Sequence, residues 1–64
     1  MNSLLREVAV MIRDSGRTDE DAVATARAVL RHVGAAARVE GGTWTGQWMD
    51  RQASAPAAME VANG

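Results

Sequence analysis

Few groups in this sequence could carry chemistry. There is one imidazole, His32, a run of three carboxylates, Asp19, Glu20 and Asp21, and a set of arginines at Arg27, Arg31 and Arg38. Two tryptophans, Trp44 and Trp48, share the stretch GGTWTGQWM. A general base needs a nucleophile within reach and a third group to orient it, and spacing brings neither to His32. With a single His and no Cys, the chain lacks the donors of a tetrahedral zinc site. The carboxylate triplet follows Thr18, which marks it as the charged first turn of a helix: negative side chains there complement the positive end of the helix dipole. Lys, Cys and Tyr are absent and no phosphate-cradling glycine loop is present. The expectation is a protein that is not an enzyme, with no catalytic residue, no cofactor and no metal.

Charge narrows the partners. Seven basic residues, all Arg, stand against eight acidic ones, for a net charge of −1. That balance lacks the electrostatic footprint of a general nucleic-acid binder. On a continuous helix Arg27, Arg31 and Arg38 would line one outer face, so they are the candidate nucleic-acid face if the protein is a small DNA-binding regulator. A solvated helix face is the plainer account. Coding bias towards Arg, Ala, Gly and Val accounts for the missing Lys.

The elements that must position these residues are helices. In SLLREVAVMIRDS, residues 3–15, the residues Leu4, Leu5, Val8, Met11 and Ile12 fall on one side of a helix at about 100° per residue. Asn2 or Ser3 can cap it, and Gly16 stands where a left-handed residue would end it. Val10 breaks the pattern by pointing into the polar side, which makes it a candidate for a second contact surface. Thr18 and Asp21 have capping-box spacing and open a second helix from Asp19 to at least Val33. Its apolar stripe is Ala22, Val23, Ala26, Val29, Leu30 and Val33, with His32 at the edge of the stripe near the helix end. Gly34 is expected to end or kink that helix, since glycine costs about 1 kcal/mol in a helix interior. After the Gly41-Gly42 turn, an extended stretch through Thr45 and a helical turn over 46–52 are expected. Residues 53–64 read as a flexible tail in which a short helix from Pro56 is conceivable. The fold class is therefore all-α: one domain over 1–52, a helical hairpin followed by a short extended or helical Trp segment, then a mobile tail. Leu5, Val8, Ile12, Ala26, Val29, Leu30 and Val33 are its expected buried positions.

A domain of about 60 residues buries little surface, and small scaffolds add disulfides, a metal or a second copy. Without Cys or a ligand cluster, a homodimer is the expectation. No stretch approaches the roughly 20 apolar residues of a membrane span, and the apolar run 8–12 is too short and too charged at its ends for a signal peptide. A cytoplasmic protein without membrane contact is expected.

The order of elements resembles the N-terminal dimerisation part of the Mor/C family of phage middle-gene transcription activators. Leu4, Leu5 and Val8 match its first helix, followed by Gly16. Ala22, Ala26 and Val29 match its second, with His32 near the end, and Gly41-Gly42 and Trp44 match its glycine turn and aromatic strand. The Ile-Pro expected after the aromatic is missing, and the family's DNA-reading helix-turn-helix would lie beyond this sequence. The resemblance implies dimerisation, and not DNA binding.

The functional expectation is a regulatory or inhibitory protein that works by binding another protein, of the size and build of the small modifiers that phages encode. Trp44, Trp48, Met49 and Val10 are the candidate contact residues. Of the two tryptophans, Trp44 is expected to pack inward near Leu30 and Val33, leaving Trp48 and Met49 at the contact surface.

Overall fold

A computed structural model describes residues 3–56 as three α-helices, α1 (Leu4–Asp14), α2 (Asp19–Val39) and α3 (Thr43–Ser54). Among the described residues there is no strand. Ser3 caps α1, its hydroxyl accepting from the Arg6 N–H at 3.1 Å. Gly16, at φ +111°, turns the chain away after Ser15. Thr18 then caps α2 by accepting from the Asp21 N–H at 3.2 Å. The Asp21 carboxylate meets the Arg17 guanidinium at 2.9 Å, and Asp19 meets Arg13 at 3.4 Å. The acidic triplet is thus a helix start tied to the turn that precedes it.

The second helix does not stop at Gly34. It runs 21 residues to Val39, roughly 30 Å at 1.5 Å per residue. The reason lies in α3. A Cβ on Gly34 would sit 3.1 Å from Met49 Cβ and 3.2 Å from the Gly46 carbonyl oxygen. The glycine is there because α3 crosses α2 at that point, and the alanines that follow it carry the helix on. His32 consequently lies about two turns inside α2, exposed, and not at its end. The helix closes on a Schellman pair: Gly42 N–H donates to the Ala37 carbonyl at 2.8 Å and Gly41 N–H to the Arg38 carbonyl at 3.0 Å. Gly41 supplies the left-handed φ of +86° that this ending requires.

The extended stretch expected at 43–45 is helix, because Gly46 is needed at the crossing and packing outweighs its poor propensity. This is also where the strand implied by the Mor/C resemblance would fall. The helix continues through Ala53, which is fully buried, so the domain boundary drawn at 52 cuts through α3. It ends at Ser54, because Pro56 forces Ala55 before it into extended backbone (φ −67°, ψ 151°). The tail expected beyond that point, 57–64, lies outside the described residues.

The core is thin. Leu5, Ala9, Ala22, Val23, Ala26, Leu30 and Ala53 are buried, with Leu4, Val8, Val10, Ile12 and Met49 packed part-buried around them. Four of these seven buried apolar side chains are alanine, which lets the helices approach closely but encloses little apolar volume. Three residues of the expected stripe face solvent instead: Met11 is 72% exposed, Val29 42% and Val33 40%. The 11-residue α1 covers only the first half of α2, so the stripe continues past the point where anything lies on it. Val10, expected on the polar side, is half-buried against the core.

The Gly34–Gly46 crossing leads to a stability prediction. Alanine at a helical glycine ordinarily gains about 1 kcal/mol. At Gly46 its Cβ would lie 2.5 Å from Arg38 Cγ and 3.0 Å from the Gly34 carbonyl oxygen. The arginine can swing aside, but the backbone oxygen cannot. Gly46→Ala should therefore lower stability by about 1–3 kcal/mol in urea melts followed by circular dichroism. A gain in stability would show that α2 and α3 do not meet here.

Candidate interaction surface

The arginine set separates on folding. Arg27 reaches from α2 to the end of α3, where its Nη1 donates to the Ala53 carbonyl at 2.6 Å and the Ala55 carbonyl at 2.9 Å. Those carbonyls are among the last of α3, so the guanidinium acts as a C-terminal cap with the sign the helix dipole favours. Arg38 lies across Gly46 and pairs with Asp50 of α3 at 2.7 Å. Arg31, also exposed, is the one of the three that makes no hydrogen bond or ion pair among the described residues. The expected basic face is thus largely a set of fasteners between α2 and α3.

The tryptophans lie on the far side of α3. Gly46, Met49, Asp50 and Ala53 face α2 or the core. Trp44 and Trp48, four apart, project from the opposite side. Trp44 is 70% exposed, which reverses the expectation that it packs inward near Leu30 and Val33. Trp48 is half-buried, as is Met49, which packs against the core. Arg51, seven residues after Trp44, falls on the same outer side and is exposed. Trp44, Trp48 and Arg51 therefore make a stripe at i, i+4 and i+7 along the outside of α3. Sequence reading missed Arg51 because it took 43–45 as extended, which breaks the helical i, i+7 relation between Trp44 and Arg51. Val39, 87% exposed at the last position of α2, lies at the same end of the molecule as Trp44.

A second exposed apolar region lies on α1. An open depression on its surface is lined by Leu4, Arg6, Glu7, Val8, Val10 and Met11. His32 is exposed on α2, and no cluster of three metal-ligating side chains occurs among the described residues. No helix among the described residues is long and apolar enough to cross a membrane. No family model, curated protein or solved structure matches the chain.

The two fasteners should differ in strength. Arg27 is half-buried and serves two carbonyls with one charged group, an arrangement worth about 1.5–3 kcal/mol. The Arg38–Asp50 pair is exposed on both sides, at 42% and 45%, which limits it to about 1 kcal/mol or less and lets salt screen it. Thermal melts of Arg27→Ala and Arg38→Ala at low and high salt should show a larger, salt-insensitive loss for Arg27. An equal loss at both positions would mean that Arg27 does not cap α3.

Proposed function

We propose that this protein is a non-enzymatic binding module of the cytoplasm, a small regulatory or inhibitory protein that works as a homodimer and presents the outer side of α3 to another protein. The observation that carries this reading is Trp44. The largest side chain type in the sequence stands 70% exposed on a helix tied to the core at three points: the Gly34–Gly46 crossing, Arg27 and Arg38. Trp and Arg are the residues most enriched where binding energy concentrates. A helix offering anchors at i, i+4 and i+7 matches the helix-in-groove mode of recognition. Trp44, Trp48 and Arg51 have that spacing, with the glutamines and threonines of α3 as a polar surround. The phage origin suggested by size and the Mor/C resemblance in the first two helices accord with a dimeric regulator.

The rival, a DNA-binding regulator working through Arg27, Arg31 and Arg38, has less support because two of those guanidinium groups are engaged within the fold. Salt separates the two readings. Phosphate contacts make affinity fall steeply with ionic strength, whereas a contact centred on tryptophan changes little.

The test uses the full chain and its Trp44→Ala variant as bait at low and high salt, followed by titration of the captured protein. Trp44→Ala should leave the thermal melt nearly unchanged and weaken binding by about 2 kcal/mol or more, at both salt concentrations. Equal affinity of the two baits for the partner, or capture of nucleic acid that is lost at high salt, would overturn the proposal.

A further inference from the structure

On α2, Ala22, Val23 and Ala26 are buried beneath α1, while Arg27, Gly34 and Arg38 meet α3. Going round α2 from the α1 side, away from α3, the next residues are Val29 and Val33. On α1, Leu5 and Ala9 face α2. Leu4, Val8 and Met11 stand on one flank at i, i+4 and i+7, with Arg6, Val10 and Arg13 on the other. The short turn and the Arg13–Asp19 pair make α1 and α2 antiparallel. For two right-handed antiparallel helices with α3 on one side, the flank of α1 turned away from α3 is the one that carries Leu4, Val8 and Met11. Val29 and Val33 are turned the same way. These five side chains therefore form one apolar strip over both helices, on the side of the molecule opposite α3.

We propose that a second copy of this chain covers that strip, leaving the outer side of α3 free for the other partner. This rests on the homodimer reading and assigns it a surface. Three observations select a second copy as the occupant. The first is the core, in which Leu5 is the one large side chain buried completely and four of the other buried residues are alanine; a chain of this size with no Cys gains its missing apolar burial most directly from its twin. The second is charge. A two-fold interface sets a patch against itself, so a charged patch would repel its copy, and the strip consists of Leu, Val and Met. The third is area. A stable pair at the small end of the range buries about 600 Å² per partner, about one-seventh of the 4350 Å² of this chain. A face as long as α1 and two helices wide measures about 16 by 20 Å, on the order of half that area even in flat projection.

The experiment is sedimentation of the full chain over a range of concentrations, with Met11→Glu, Val33→Glu and Trp44→Ala beside it and circular dichroism on each. Expected are a dimer for the parent chain and for Trp44→Ala. For Met11→Glu and Val33→Glu, helical monomers are expected, dimerising roughly a hundredfold or more weakly, because each would bury an unpaired charge. Dimers that survive both glutamates would overturn the assigned surface and leave self-association standing. A parent chain that stays monomeric would overturn self-association and the surface with it. Should a glutamate variant lose its helix signal, a mixture of isotope-labelled and unlabelled parent chains decides. Intermolecular nuclear Overhauser effects to the Val29 and Val33 methyls support the proposal, and a dimer without them defeats it.

Discussion

The approach of Gly34 to Gly46 is the constraint on which the rest of this fold depends. Without a Cβ at either position, α3 can lie against the second half of α2 with backbone nearly touching backbone. Met49 can then pack against the core, Asp50 can reach Arg38, and Ala53 can close against the buried residues near Leu30. The N-terminus of α3 has no side-chain cap and no acidic residue in its first turn. A 12-residue helix with Gly in its first turn and no cap is marginal by itself. What makes it a helix is α2: a surface to lie on, a guanidinium for its last carbonyls and a second guanidinium over its glycine.

This arrangement turns α2 into a spine serving two neighbours at different heights and on different sides. Helix α1 covers its first half and α3 its second, and the two shorter helices scarcely meet. One consequence is electrostatic. The arginines that a linear reading places on an outer face are divided between internal duties, Arg27 as a cap and Arg38 as a strut. A helix surface with three Arg in the sequence therefore offers solvent little free positive charge. The other consequence is steric: a 21-residue spine clad by partners of 11 and 12 residues leaves apolar positions bare on each side.

Local signals were legible and nonlocal ones were not. Thr18 with its acidic turn, Ser3, Gly16 and the stripe Ala22–Ala26–Leu30 follow from capping and periodicity within a few residues, and the folded chain uses them that way. Gly34 and Gly46 misled for a common reason. Each reads locally as a helix breaker, and each is a contact residue whose justification is the other, twelve positions away. Propensity cannot register that exchange. Val29 and Val33 carry the periodicity of buried residues, which identifies the side of a helix facing something apolar but not whether the same chain supplies the cover. Of the contact candidates, Trp48, Met49 and Val10 are half-buried and Trp44 is open. The sequence placed both tryptophans on one segment, but their inward and outward sense depended on that segment being helical from Thr43 onward.

Trp44 bears on the economy of so small a chain. Burying a tryptophan removes about 200 Å² from water, worth about 5 kcal/mol at 25 cal/mol per Å², on the scale of the whole stability of a small domain. This fold forgoes that gain and fills its interior with alanine and leucine. The choice is not forced by composition, since a helix register shifted by half a turn would have carried Trp44 inward. Such a shift would displace Gly46 from the crossing and put Trp44 or Trp48 in its place, whose bulk would push α3 away from α2. Close packing of α2 against α3 and inward placement of Trp44 are thus mutually exclusive on one helix. The structure takes the glycine contact, and the tryptophan faces outward as its geometric complement. Under the proposed reading the same register that secures the helix also presents its anchor, so a change that loosens Gly34–Gly46 would disturb binding even though neither glycine touches the partner.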